Sequence, residues 1–438
     1  MPDFIEPRIL KGFRDFLPPA EIARRDLVEK IEGFFRSYGF VPIDTPALEY
    51  TEILLGKGGG ETEKQIYRFK DNGDRDVALR FDLTVPFARF LAEHRAELNF
   101  PFKRYHIAKV WRGENTQRGR YREFTQCDFD IVGSDSAAAD FEVLHVMAKT
   151  LPAIAGGEVT VHLNHRGLFN RFLSRLGVLD ASVNILRSVD KLAKIGREET
   201  LALLSQFVEA GKAREILDFI GIKGTFEETL AAMTAASGPC PEAERLDLLR
   251  RYLFDAGIGA SVVLDPSITR GLDYYTGVVF ESFLADMPGI GSICSGGRYD
   301  NLVGLYSGGE KGAALTGVGT SIGIDRLIAG LEALGRLQTR QSYASAAIAC
   351  VCETAWGAYQ ALAEKFREKG IPCEVFLNEE KLTKQFQAAE KKGIRWLIIP
   401  AGENPLHSAL TLRNLAKREN RENLTPDEAA EILKSESI

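Results

Sequence analysis

Residues 164–259 read as helix, and the stretches on either side of them read as strand. Five windows, 168–176, 198–209, 213–219, 227–235 and 242–254, carry apolar residues at helical spacing, and strand character returns over 260–264. A helical block between two β-rich segments reads as an insertion, at 165–259, into one α+β core made of 1–164 and 260–334, rather than as a boundary between two domains. A helix over 324–334 ends that core, and a linker is drawn over 335–344.

Residues 345–438 have a different rhythm. Strand is expected over 346–351, 373–376, 396–399 and 409–413, with helices over 355–369, 382–392 and 426–434. That alternation makes a small α/β domain of about 95 residues. Its 13 Lys/Arg against 14 Asp/Glu over 341–438 leave it nearly neutral and its partner unnamed.

At 438 residues, 45% hydrophobic and 26% charged, the chain has the make-up of an ordinary soluble protein. A net charge of −6 argues against nucleic-acid binding through bulk charge and leaves a local basic patch open. The six cysteines have no metal-ligand spacing; Cys350 and Cys352 are expected on one strand face as core thiols. Asp3 and Glu6 with no apolar run argue against a signal peptide, and no stretch approaches the ~18 apolar residues of a membrane span. A cytoplasmic protein that binds no membrane is expected.

Near the N-terminus, residues 20–37 follow Pro18-Pro19 as an amphipathic helix through Ile22, Leu27, Val28, Ile31 and Phe35. Gly39 ends it, and Phe40-Val41-Pro42-Ile43 runs as strand toward Pro46. Gly56, Gly58, Gly59 and Gly60 are too loosely spaced for a phosphate loop and read as a mobile loop.

Four segments carry chemistry. Arg270-Gly271-Leu272-Asp273-Tyr274-Tyr275-Thr276-Gly277 sets a guanidinium, a carboxylate and two phenols ahead of the strand-like Val278-Val279-Phe280. It reads either as a pocket wall or as a buried edge strand with satisfied tyrosines. In extended backbone only one of Tyr274 and Tyr275 could face a given ligand.

A hairpin over 102–132, with strands 105–112 and 121–132, places His106, Ala108, Val110 and Arg112 on one face. Arg122, Phe124, Gln126, Asp128 and Asp130 share a face of the second strand. Such a row could line a cleft for phosphate, an aromatic ring and a cationic amine, or pair its charges in solvent. Gly317-Val318-Gly319-Thr320-Ser321-Ile322-Gly323-Ile324-Asp325-Arg326 lets strand and helix approach a ligand closely. Arg326 in the first helical turn suits a polyphosphate site. In Arg80-Phe81-Asp82-Leu83-Thr84-Val85-Pro86, Asp82 and Thr84 share a face toward a ligand, or Thr84 is a helix N-cap with the proline at the first helical position; both readings can hold, since Asp82 still faces a ligand.

Taken together, these segments resemble the class II aminoacyl-tRNA synthetases. Trp111-Arg112-Gly113-Glu114, the basic connection and Phe124 look like their motif 2, Gly323-Ile324-Asp325-Arg326 like motif 3, and the helix running to Pro46 like motif 1. The 270–277 segment and Ser295-Gly296-Gly297-Arg298-Tyr299-Asp300 resemble two signatures of the histidyl-tRNA synthetase family. Lys11-Gly12-Phe13-Arg14-Asp15 and Gln117-Arg118-Gly119-Arg120-Tyr121-Arg122 match it as well.

The resemblance implies a catalytic core of antiparallel sheet flanked by helices, a helical insertion and an anticodon-binding-like C-terminal domain. It implies ATP-dependent histidine–tRNA ligation, with ATP and Mg²⁺, no tightly bound protein metal, tRNA(His) as partner, and a homodimer through Pro46. The implied catalytic residues are Arg112 and Arg270. Histidine would be held by Asp82, Thr84, Arg112, Gln126, Asp130, Arg270, Tyr274 and Tyr275, and ATP by Arg112, Glu114, Arg120, Phe124 and Arg326. Two rival readings share the core: a histidine-sensing regulatory subunit of ATP phosphoribosyltransferase, and an enzyme charging another acceptor. The C-terminal domain and intact site positions weigh against both.

Overall fold

The computed structural model describes residues 4–56, 61–268, 274–306, 315–402 and 404–436. The chain divides into two compact units, residues 1–14 with 27–337 and residues 15–26 with 338–438.

The first unit is built on an eight-stranded sheet. In spatial order its strands are Val41–Pro42, Phe102–Trp111, Glu123–Val132, Gly317–Gly323, Cys294–Tyr299, Val278–Leu284, Val159–His165 and Val262–Leu264. The two outermost pairings are parallel and the inner ones antiparallel. The strands flanking the helical block do meet, with Val161 opposite Val262.

The expected hairpin over 102–132 is there, its first strand beginning at Phe102 rather than Tyr105 and its second at Glu123 rather than Tyr121. It pairs Phe102 with Val132 through to Trp111 with Glu123, so Arg104 joins the first strand, and Tyr121 and Arg122 belong to the connection. A further hydrogen bond, Arg112 N–H to Arg122 O at 2.9 Å, carries the ladder past the last pair.

Six helices fill the block: Arg166–Arg175, Ser182–Val189, Leu192–Leu204, Ala210–Ile220, Phe226–Ser237 and Pro241–Asp255. The helix expected over 198–209 starts earlier and is broken at Gly196, whose φ of 80° only glycine adopts freely. Phe226–Ser237 opens on a capping box in which Thr225 and Glu228 bond each other's backbone N–H groups. Ala137–Ala155 is a buried helix with no polar stripe to advertise it, and it packs Val143, Leu144, Met147 and Leu151 into the core. From it Asp140, fully buried, accepts Arg298 Nε and Nη2 at 2.9 and 2.7 Å and Arg245 Nε at 2.6 Å. One carboxylate thus ties the Cys294–Tyr299 strand to the last inserted helix.

The second unit has a five-stranded sheet ordered Cys373–Val375, Ala346–Ile348, Trp396–Pro400, Leu410–Asn414 and Glu419–Leu424, parallel at first and antiparallel beyond Trp396–Pro400. The last strand, Glu-Asn-Arg-Glu-Asn-Leu, has no apolar alternation and escapes a reading by pattern. The strand expected to carry Cys350 and Cys352 stops at Ile348, because Gln385 captures the backbone of Cys350, giving its N–H to Cys350 O and taking Cys350 N–H. Cys350 is buried and Cys352 half-buried, so the two thiols do not share a strand face. No helix among the described residues is long and apolar enough to cross a membrane.

Candidate active site

The sheet face opposite the Ala137–Ala155 helix floors a cavity of about 1360 Å³. Two rows of side chains cross that floor in register. The first runs Arg104, Asp130, Gly319, Gly297, Val279, Asn164; the second runs His106, Asp128, Ser321, Ser295, Glu281, His162. The paired glycines open the hollow. A Cβ on Gly319 would lie 1.9 Å from Asp130 Oδ1, and one on Gly297 would lie 3.0 Å from the Tyr275 ring.

Asp130 is held from two sides. Tyr299 donates its hydroxyl to Oδ1 at 2.7 Å, and Arg104 Nη2 pairs with Oδ2 at 2.8 Å. Arg104 is itself 0% exposed and lies over the Phe87 ring at 4.0 Å. Burial pushes the Asp130 carboxyl up, while Arg104 and Tyr299 pull it back.

Tyr274 and Tyr275 both line this end, with ring centroids 4.9 Å apart at 69°. The expectation that only one could do so fails because they precede the Val278–Leu284 strand in irregular backbone, where alternation does not apply. Asp82 and Thr84 line the cavity too. Thr84 is the first helical residue and not the N-cap, which is Leu83; the side-chain bond to the first turn comes from Asp82, whose Oδ1 accepts Val85 N–H at 3.0 Å, and Pro86 follows two positions after Thr84. Tyr274 donates to the other Asp82 oxygen at 3.4 Å. Gln126 donates its amide to Ser321 Oγ at 2.8 Å.

The other end is cationic. Arg112 lies 5.2 Å over the Phe124 ring, donates Nε to Phe81 O at 2.8 Å, and sits 3.9 Å from Glu114. Arg120 bonds Glu114 at 3.2 Å. Arg326 donates to Ser292 O at 2.6 Å, and burial together with nearby Arg120 lowers its affinity for its proton. Gly119 lets the connection pass against Arg326, where a Cβ would come within 3.3 Å of the arginine backbone. Next to it Asp325 faces inward, accepting Thr125 N–H at 2.7 Å and pairing with Arg14, which lies over the Tyr121 ring at 3.7 Å.

Of the expected site residues, Asp82, Thr84, Arg112, Glu114, Arg120, Phe124, Gln126, Asp130, Tyr274, Tyr275 and Arg326 all line this one cavity. Arg270 and the glycines 58–60 lie outside the described residues. Sequence reasoning missed Arg104, Asp128 as a site residue, Tyr299 as the partner of Asp130, and a His162–Asp265 pair on the far rim (Nδ1 to Oδ2, 2.7 Å). Arg104 would have emerged had the first strand been started one residue earlier, since it shares the alternation of His106 and Arg112. The His162–Asp265 pair has no spacing signal at all.

One chamber with a carboxylate-rich end and a guanidinium-rich end suits a cationic, hydrogen-bonding molecule beside a polyphosphate. The family model described as histidyl-tRNA synthetase matches residues 12–327. The chain belongs to the histidyl-tRNA synthetase family. A second model, the anticodon binding domain, matches residues 345–436. A relative from Treponema denticola, histidine–tRNA ligase, is 53% identical over 403 residues, covering 90% of this chain and 89% of its own. The Treponema pallidum protein of the same name is 49% identical and covers 95% of each. The crystal structure of histidyl-tRNA synthetase from Nostoc sp. PCC 7120 superposes with a TM-score of 0.86 at 31% identity, over 99% of this chain and 100% of that one. Membership makes this chain an aminoacyl-tRNA ligase with the fold of the family, and sets aside the reading as a purely regulatory subunit.

Proposed function

We propose that the cavity joins histidine to ATP and passes the histidyl group to the 3′ end of tRNA(His). The observation that carries this is the placing of Asp130, fixed by Arg104 and Tyr299, in the same chamber as Arg112, Phe124 and Arg326. Asp130 and Tyr275 take the two imidazole nitrogens, one as acceptor and one as adaptable donor. A site of such paired polar contacts rejects analogues that cannot bond it by ~10⁴–10⁵. Asp82, Thr84 and Gln126 stand round the α-amino group, with Tyr274 closing the wall.

In the first step a histidine carboxylate oxygen attacks the α-phosphorus in line, and the bond to the bridging oxygen of pyrophosphate breaks. Arg112 and Arg270 meet the charge on the α-phosphate, fixed cations needing no reorganisation as it develops. Phe124 lies under the adenine, and Glu114, Arg120 and Arg326 hold the rest of the nucleotide. Mg²⁺ travels with the β- and γ-phosphates; among the described residues no trio of His, Cys, Asp or Glu is grouped to hold it. In the second step the terminal ribose hydroxyl attacks the histidyl carbonyl and AMP leaves.

The connection over 115–119 approaches the acceptor end, the insertion at 165–259 braces the stem, and the domain at 345–438, joined through 335–344 to the core of 1–164 and 260–334, reads the anticodon. A homodimer through the Pro46 region is supported by exposed apolar Val41, Leu48 and Tyr50 around it. We place the enzyme in the cytoplasm, with no membrane partner. The test is ATP–pyrophosphate exchange with each amino acid. Exchange with histidine alone, reduced at least about 100-fold by Arg112→Ala, is expected; exchange with another amino acid, or an unaffected variant, would refute the assignment.

A further inference from the structure

Three buried acceptors on the cavity face of the Glu123–Val132 strand, Gln126 Oε1, Asp128 Oδ1 and Asp130 Oδ2, accept no hydrogen bond; Asp130 Oδ2 is ion-paired with Arg104, which leaves Gln126 Oε1 and Asp128 Oδ1 without a partner. Asp128 is 2% exposed and lines the cavity. Ser321, its register partner, takes the Gln126 amide N–H on its oxygen at 2.8 Å. That bond turns the Gln126 amide so that its oxygen, like Asp128 Oδ1, is left without a donor. A buried carboxylate beside a free amide oxygen calls for a cationic group with several N–H donors. The other carboxylates nearby are already committed: Asp82 to Val85 N–H and Tyr274, Asp130 to Arg104 and Tyr299.

We infer that Asp128 is the counter-ion of the α-ammonium group of the bound amino acid, with Gln126 Oε1 as its second acceptor. This rests on the reading of the cavity as a histidine site, and adds to it the residue that carries the charge. The groups facing Asp128 are few and known. Arg104 and His106 come from the neighbouring strand, and burial with Arg104 holds His106 at about 4, so it is neutral near pH 7. Asp130 comes from its own strand, Asp82 and Arg80 from the segment before the Thr84–Glu93 helix, Tyr274 and Tyr275 from the segment ahead of Val278, and Cys294, its thiol pushed up to about 12 by burial, from the strand beyond Ser321. Burial, with Asp130 and Asp82 adding to it and Arg104 opposing, raises the Asp128 carboxyl to about 7. An arriving ammonium therefore displaces a proton from it.

The experiment is isothermal titration of the full chain with histidine at pH 7 in phosphate and in Tris, whose ionisation heats differ. Roughly half a proton should leave per histidine bound, given a carboxyl half-protonated at that pH. 3-(Imidazol-4-yl)propionate, with the same ring and carboxylate but no ammonium, should release none once the ring protons of both ligands, which titrate near this pH, are subtracted. Asp128→Asn should abolish the release and weaken histidine about 10- to 100-fold. Equal release with both ligands, or release and affinity unchanged in Asp128→Asn, overturns the inference. Should that variant not fold, the wild-type comparison of the two ligands decides alone. Histidine binding and histidine-dependent exchange without proton release overturn the inference only; no histidine binding at all overturns the reading of the cavity with it.

Discussion

A single methyl group at position 319 would occupy the space of Asp130 Oδ1, 1.9 Å from it, and press on Phe129 O at 2.8 Å. Gly319→Ala must shift the carboxylate or the strand, at about 1–3 kcal/mol of strain. We expect KM for histidine to rise at least about tenfold with KM for ATP nearly constant, as read by pyrophosphate exchange against each substrate. Arg104→Met acts on the same carboxylate from behind, leaving it buried and unpaired at a cost of about 3–5 kcal/mol. Without its cation the folded carboxyl titrates higher still above its unfolded value, so the folded state holds the extra proton and the deficit grows as pH rises. Urea unfolding at pH 8 and pH 5.5 should show the larger loss at pH 8. Gln126 and Asp130 were legible because alternation from Phe124 sets them on one face. The same alternation puts Asp128 on that face; what it does not record is that Asp128 is buried with an oxygen left unbonded, opposite Ser321 nearly two hundred positions away.

Among the elements, the Arg166–Arg175 helix starts on an unusual cap. His165 Nδ1 accepts Gly167 N–H at 3.1 Å, which requires that nitrogen to be unprotonated. Burial, with Arg245 and Arg298 adding to it, holds His165 at about 4 against an ordinary 6.5. Between those values the unfolded chain binds the proton and the folded chain does not, so stability falls as pH drops from 6.5 toward 4, by up to about 3 kcal/mol. His165→Asn keeps a capping oxygen and cannot titrate; its thermal unfolding should be less acid-sensitive over that window than the wild type's. An equal slope would remove His165 as the cause. Striped helices such as Arg166–Arg175, expected over 168–176, were readable to within two residues. Ala137–Ala155 was not, being buried on nearly every side, and the 198–209 window was misplaced by the break at Gly196.

At the scale of the molecule, the inserted helices were legible as a helical block between two β-rich segments, while the antiparallel core came from the resemblance of the motifs, and the strands that flank the block pair in parallel. The C-terminal sheet followed from alternation, except for its polar last strand. With a net charge of −6, tRNA must be held by local arginines and lysines. Raising KCl from 50 to 200 mM should therefore weaken tRNA charging at least roughly tenfold, through counterion release, while histidine–ATP exchange stays within about twofold. Parallel losses in both assays would point to damage at the common cavity instead. The shared carboxylate of Asp140 has a consequence for exchange of parts between relatives. Its two guanidinium partners lie on opposite sides of the insertion boundary, Arg298 in the core and Arg245 in the transplantable segment. A chimera that imports residues 165–259 from a donor lacking arginine at 245 inherits half a contract: the host keeps a carboxylate sized for two cations and receives one. Positions 140, 245 and 298 travel as a set, and the seam of this molecule is chemical before it is topological.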